Sequence, residues 1–475
     1  SNMAAPMKLC VSRPQLCFQR KFLRHVIKHV KLSSYATATD SETLNAPPSN
    51  KKTRVELDGK FSEALASSSE KHKHHPGRHV LPSISLPQRL IESAGIILEK
   101  YPVKELSRKA DKLANYLWSR HPPATDSHVS KLASQIHEQL VQKKEKAGKT
   151  SPVERDDVLR TLRQKVYHWQ PVAYDAHKSL LYLTAHLAHN YSVLLQCFTE
   201  ISKREPAFQP RSVYNLGSGL GSAIWAANSV WGSRVFEYYC VDTSQDMNTV
   251  ARLLLQDGDS QKQMCFPGVA FRQFPPSPFN NQFEMVVSAY TLLENPGQRQ
   301  QRLEMVDDLW RMTKDFLVLV ENGTTAGFSV INEARDHILK VSNTTDDERL
   351  KGYIFAPCPH DDVCPKFAEM NQPCFSQVHY KPLPQNHTRP SKCNARYSYL
   401  IMRKGAREGV PWPRVIQDTM KASRHTHCHL CCPDRKIRHM IFTASKHGQD
   451  VYKCSRHTSW GDQFPVTFTT DADEE

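Results

Sequence analysis

In SVYNLGSGLGSAIWAA, residues 212–227, a β-prone run, three alternate glycines and an alanine-rich run follow one another without a gap. Val213, Tyr214 and Leu216 favour a strand, Gly217, Gly219 and Gly221 a tight turn, and Ala223–Ala227 a helix. Missing side chains let the backbone of such a turn approach a ligand closely. The next β-prone run, FEYYCVD, ends in Asp242, about 20 residues further on, where a carboxylate can accept hydrogen bonds from ribose hydroxyls. Turn and acid together fit an adenosine-containing cofactor, with Gly217, Ser218, Gly219, Gly221 and Asp242 as its binding residues. The third glycine comes too early for the G-x-G-x-x-G of dinucleotide binders, and a turn that only packs helix on strand is the plain alternative.

Around this turn strands and helices alternate. SVYNL, FEYYCVD, GVAFRQF (268–274), FEMVVSAY (283–290) and FLVLVEN (316–322) read as strands between helical stretches, so residues 206–404 are expected to form an α/β, Rossmann-like domain on a parallel sheet. FSQVHYKPL and YSYLIMRK supply its last strands. Upstream, Leu106, Ala110, Leu113 and Leu117, then Val129, Leu132, Ile136 and Leu140, recur at helical spacing, and two more helices are expected over 152–169 and 174–201. Residues 81–205 are therefore expected to be an all-helical N-terminal domain. Residues 40–80, rich in Ser, Lys, His and Asn, read as a flexible linker. From Gly405 to 475 the composition shifts to His, Cys, Arg and Pro, a C-terminal extension with small β elements expected in HMIFTAS and DVYKCS.

The charge is uneven. Sixty-three basic residues stand against 48 acidic ones, a formal +15, yet residues 3–39 hold seven of the basic residues and no acid. With Phe18, Phe22 and Val26 on one helical face and Arg20, Lys21, Arg24, Lys28 and Lys31 around the rest, residues 1–39 have the make-up of a mitochondrial presequence. Removing those seven leaves 56 against 48, a net +8 that still favours a polyanionic partner. No apolar run approaches the ~18 residues of a membrane span.

Of 13 cysteines, eight lie between Cys358 and Cys454. In APCPHDDVCPKFAEMNQPCF (356–375), Pro359 and Pro365 follow Cys358 and Cys364, and Pro373 precedes Cys374. Prolines keep a loop irregular and can hold sulfurs around a centre, as beside iron–sulfur clusters. A fourth ligand has an obvious source in HCHLCCP, 427–433, where adjacent Cys431 and Cys432 seldom point the same way. Zinc is the rival: Cys428 and Cys431 are spaced like a knuckle, with His427, His429 and His439 available. Residue types and spacing leave iron–sulfur, zinc and simple buried thiols open. A reducing compartment favours metal over disulfide.

The glycine turn with Asp242 resembles that of class I S-adenosylmethionine-dependent methyltransferases. That family usually carries an acid two residues before the first glycine, where this chain has Asn215, and its fourth-strand region here, SAYTLLENP, holds neither an Asn-Pro-Pro-Tyr box nor a nucleophilic cysteine. No catalytic residue is assigned. YHWQ, PAFQP, LGSGLGSAIWAA, LVLVENGTTAGFSVINEARD, IFAPCPH, HCHLCCPD and HTSWGD together resemble a methyltransferase-like family associated with the mitochondrial small ribosomal subunit. That resemblance implies a [4Fe-4S] cluster on Cys358, Cys364, Cys374 and Cys431, and leaves Cys393, Cys428, Cys432 and Cys454 as structural thiols. It further implies a matrix protein, monomeric on the subunit, that assists assembly by binding rRNA between head and body beside ribosomal proteins and other assembly factors. S-adenosylmethionine would be bound without turnover, with active rRNA methylation as the alternative. The cluster is expected to pin an extension too poor in large apolar residues to build its own core.

Overall fold

The computed structural model describes residues 53–121, 126–146, 153–165, 171–294 and 299–470. The expected presequence lies outside them. The chain divides into two compact units, one of residues 1–50 and 122–169 and one of residues 51–121 and 170–475. In the first, helices Asp126–Lys146 and Arg155–Lys165 pack through Val129, Ala133, Ile136, Val158 and Leu162. The stretch expected as one helical domain over 81–205 is thus divided: helices Gln88–Glu99, Val103–Trp118 and Ala176–Arg204 share a core with the sheet of the second unit.

The second unit opens with β1 (Thr53–Leu57) and continues through β2 (Ser212–Leu216), β3 (Glu237–Val241), β4 (Val269–Arg272), β5 (Phe283–Ala289), β6 (Thr313–Asn322), β7 (Gly352–Ala356), β8 (Ser376–Tyr380) and β9 (Cys393–Lys404). β2 to β9 make one eight-stranded sheet in the order β4-β3-β2-β5-β6-β9-β7. β2 to β6 run parallel, while β9 is antiparallel to β6, β7 and β8. The period-2 alternation of these strands feeds two cores at once. Val213, Met285, Val287, Phe316, Val318 and Ile401 face the helices Ala176–Arg204, Ser222–Trp231 and Gln245–Leu255. Tyr214, Val286, Leu317, Leu319, Leu400 and Met402 face helices Arg299–Met312 and Thr325–Thr344. β7 and β8 pair with opposite ends of β9, so the loop between them, which carries three of the cysteines, emerges at their junction.

Three expectations are corrected. Residues 53–80 are not a linker. β1 pairs antiparallel with β14 (Val466–Thr470), and Phe61, on a helix capped by Asp58, is buried. His75 and His79 are 1 % exposed; His75 Nε2 bonds Thr458 Oγ1 at 3.1 Å and His79 Nε2 meets Gln463 Oε1 at 3.1 Å. Burial holds these imidazoles neutral, pulling their pKa to about 3 and about 4. A polar segment can therefore be core when hydrogen bonds from afar hold one nitrogen of each imidazole, which composition does not reveal. DVYKCS, expected as β, is the helix Gln449–His457, whose Val451, Cys454 and Ser455 bury one face at helical spacing. β10 (Arg414–Val415), β11 (Met420–Lys421), β12 (Thr426–Cys431) and β13 (Ile437–Phe442) form a small second sheet. The extension also has the core it was expected to lack: Val415, Cys428, Leu430, Cys432, Phe442 and Phe464, completed by Val55 and Phe61 from the segment misread as linker.

Candidate cofactor cleft and thiol site

The glycine turn sits where β2 ends, at the edge of the parallel strands where such sheets bind ligands. It borders a cleft of about 550 Å³ lined by Gly217, Gly219, Asp242, Tyr174, Thr291 and Glu294 among others. Gly217 has φ +69°, and a Cβ there would lie 2.1 Å from Thr291 Oγ1, so backbone conformation and space both demand glycine. Asp242 holds the turn: its Oδ2 accepts from the Gly219 N–H and its Oδ1 from the Ser244 N–H, each at 2.9 Å. Burial raises its pKa, and these two hydrogen bonds oppose the shift. A ribose would use the lone pairs that remain. Ser218 and Gly221, expected at the cofactor, do not line the cleft. The Ser218 N–H is spent on Val241 O at 2.9 Å, and Gly221 caps the helix Ser222–Trp231.

Glu294, within the SAYTLLENP stretch, was given no role from sequence. It accepts from Arg120 Nη1 at 2.9 Å and from the Tyr174 hydroxyl at 2.8 Å, and burial raises its pKa. Behind it Glu321, fully buried, accepts from the Leu293 N–H at 3.0 Å and is held up at about 7 by burial. Arg120 lies 174 residues from Glu294 in the chain, a separation no local motif could signal.

The second site gathers thiols. Cys358 follows β7, Cys364 precedes the short helix Pro365–Ala368, and Cys374 precedes β8. A small cavity of about 20 Å³ is lined by all three, together with Arg335 and Asn332. Cys431 comes from the end of β12 and shares their electrostatic neighbourhood: its pKa is raised by burial and then by Cys358, Cys374 and Cys364. Cys374 is pushed to about 12 by burial, then by Cys364 and Cys358. Of the four thiols expected together, Cys358, Cys364 and Cys374 line one cavity, and Cys431 lies within their electrostatic reach without lining it.

Strand alternation explains why Cys431 and not its neighbours belongs here. Along β12, Thr426, Cys428 and Leu430 are buried, while His427, His429 and Cys431 face the other way. Cys428 and Cys432 enter the core of the extension, so the knuckle-like pair Cys428 and Cys431 is split across the strand. His429 stacks on His439 with centroids 4.4 Å apart, and His427 Nδ1 lies 3.0 Å from His439 Nε2. Among the described residues no three His, Cys, Asp or Glu side chains stand close enough to hold a metal ion. The donor chemistry fits a thiolate-bound centre larger than a single ion, although a cavity with room for about one water means the loop must give way to seat it.

Three groups here were missed from sequence. His360 donates from Nδ1 to Asp362 O at 3.2 Å, leaving Nε2 to face Cys431 Sγ at 3.6 Å; burial lowers its pKa to about 4. Lys366 is buried beside Phe375. Arg414, paired in register with Cys431, donates from Nε to Pro357 O at 3.0 Å and from Nη2 to Glu200 Oε1 at 2.6 Å, clipping the strand of Cys431 to the loop of Cys358 and to the long helix.

A sheet ordered β4-β3-β2-β5-β6-β9-β7 with β9 reversed, and a glycine turn after its first strand, define a Rossmann-like methyltransferase fold. The chain belongs to the family described as mitochondrial small ribosomal subunit Rsm22, whose sequence pattern matches residues 176–465. It is 41 % identical over 397 residues to the human "Ribosome assembly protein METTL17, mitochondrial", covering 83 % of this chain and 86 % of that protein. It is 28 % identical over 222 residues to the "Rsm22-cox11 tandem protein 2, mitochondrial" of Schizosaccharomyces pombe, covering 39 % of this chain and 29 % of that one. Among solved structures, magnesium protoporphyrin IX methyltransferase from Synechocystis with bound SAM aligns over 54 % of this chain and 100 % of its own at 10 % identity and TM-score 0.30, and adds nothing to what strand order establishes. Among the described residues no helix is long and apolar enough to cross a membrane.

Proposed function

We propose that this protein assists assembly of the mitochondrial small ribosomal subunit in the matrix, binding rRNA near the junction of head and body as a monomer. In this reading Cys358, Cys364, Cys374 and Cys431 hold a [4Fe-4S] cluster, and the cleft at Gly217, Gly219 and Asp242 keeps affinity for S-adenosylmethionine without methyl transfer. Residues 1–39 act as the import signal, and the sheet domain and the extension bear the two sites. The observation that carries the reading is the likeness to the human ribosome assembly protein, in a family whose pattern spans both sites.

Further support comes from surface chemistry. Exposed Arg424, Arg435 and Lys436 and the stacked imidazoles of His427, His429 and His439 neutralise phosphates and stack on unpaired bases without reading sequence. A cluster on Cys431 and the 357–375 loop would cross-link the extension to the sheet domain. The extension has an apolar core in which β12 is anchored through Cys428 and Leu430, so loss of the cluster would free the loop without unfolding the extension.

The test is metal and sulfide analysis of protein purified without oxygen, with small-subunit precursors profiled in knock-out cells. Expected are about four irons per chain, absent in Cys431→Ala and retained in Cys428→Ala, and assembly restored by a Gly219→Asp chain that no longer binds cofactor. Folded protein without iron sinks the cluster reading. Failed rescue by Gly219→Asp favours the second reading, an active rRNA methyltransferase, which the open 550 Å³ cleft keeps alive. An rRNA methylation map unchanged in the knock-out removes that alternative.

A further inference from the structure

Two cations are buried beside the thiols, and the charges around them do not balance. Arg335, on the helix Thr325–Thr344, is 3 % exposed and lines the small cavity with Cys358, Cys364 and Cys374. Its Nη1 reaches Asp336 Oδ1 at 2.5 Å and its Nη2 bonds Asp362 O, but its buried Nε–H has no acceptor among the described residues. Asp336 is half-exposed, so solvent screens much of its compensation. Lys366 is 7 % exposed, two residues after Cys364, with Nζ 5.6 Å from the centroid of the Phe375 ring and no ion pair among the described residues. A buried cation whose counter-ion is half in solvent is costly to keep, and a protein that holds Arg335 in this way, with the largely buried Lys366 nearby, is arranged for a negative centre. The other nearby charges do not supply one: Asp361 is engaged by Arg407, and Glu200 by Arg414 and Arg204.

We propose that Arg335 and Lys366 are the counter-charges of the thiolate-bound centre, matched to the dianion that four cysteinates form around an oxidised [4Fe-4S] core. The assignment rests on the four-cysteine reading above. It adds that the metal-free site leaves both cations short of buried negative charge, and that loading the centre supplies it. The unpartnered Arg335 Nε–H then finds a thiolate or sulfide acceptor, the kind of outer contact that tunes such centres. Reduction adds a further negative charge, so both cations also favour the reduced state.

The full-length protein tests this as Arg335→Met, Lys366→Met and the charge-keeping Lys366→Arg. Purified without oxygen, each Met variant is expected to lose iron to a chelator at least tenfold faster than wild type. The reduction potential should move negative, and Lys366→Arg should restore both. Metal-free Lys366→Met should melt no lower than metal-free wild type, because an uncompensated charge has been removed. If the Met variants hold metal as tightly as a loaded wild type, or if loaded and metal-free forms lose melting temperature equally, the counter-charge assignment falls while the cluster reading stands. If wild type binds no iron, the four-cysteine reading fails and takes this one with it.

Discussion

The cleft at the glycine turn and the thiol site are built in opposite ways. The cleft is made by contiguous backbone: one strand end, one turn and one acid at the next strand end enclose about 550 Å³. The thiol site joins a cavity of about 20 Å³ lined by Cys358, Cys364 and Cys374 to Cys431 on a distant strand, and is held by the Arg414 clip, which spans 57 residues to Pro357 and 214 to Glu200. A site made of local backbone survives changes elsewhere in the chain. One assembled from afar depends on every contact that brings its parts together.

The largest test of this contrast is Arg414→Met. Arg414 and Glu200 are 4 % and 3 % exposed; without Arg414, Glu200 keeps Arg204 but loses its shorter ion pair, and the carbonyls of Pro357 and Gly461 lose their donor, at a cost of about 3 kcal/mol. The denaturation midpoint should fall and iron should be lost, while S-adenosylmethionine binding by the remaining folded protein is unchanged. Retained iron would break the contrast.

Glu321→Gln probes the floor behind the cleft. Burial raises this carboxyl from 4.5 to about 7, so between those values the folded state binds the proton more tightly than the unfolded chain, and wild-type stability falls as pH rises through that window. Glutamine does not titrate and keeps an oxygen for the Leu293 N–H. The variant should match wild type near pH 4.5 and exceed it by about 3 kcal/mol at pH 8, measured by urea unfolding at both values. A constant difference across pH would refute the assignment.

Gly217→Ala asks less of stability, about 1–2 kcal/mol for a left-handed alanine, but its Cβ displaces Thr291, which lines the cleft. Calorimetry should show S-adenosylmethionine binding at least tenfold weaker, with metal content untouched. His439→Ala should change stability least, by under about 0.5 kcal/mol, because its stack with His429 lies on the outer face of the extension's sheet; a drop in midpoint as large as that of Arg414→Met would place it in the core instead.

The parts of the molecule written in period and neighbourhood could be read directly. The strands from Ser212 to Asn322, the turn at Gly217 and the acid at Asp242 follow from runs of a few residues each. The buried His75 and His79 could not, since their place inside is settled by Thr458 and Gln463 nearly four hundred residues later. Nor could the helical state of Gln449–His457, a short β-prone segment whose packing partners decide its period.

Sequence alone fixed the α/β alternation, the ligand-ready turn and the supply of thiols, because backbone preference and side-chain chemistry are local properties. Tertiary structure decided which thiols meet, turning Cys431 toward Cys358, Cys364 and Cys374 and sending Cys428 into a core, because strand pairing assigns each side chain to one face and folding sets what that face meets. It also buried Arg335 and Lys366 beside them, a juxtaposition of charge and sulfur that exists only once the chain has closed on itself.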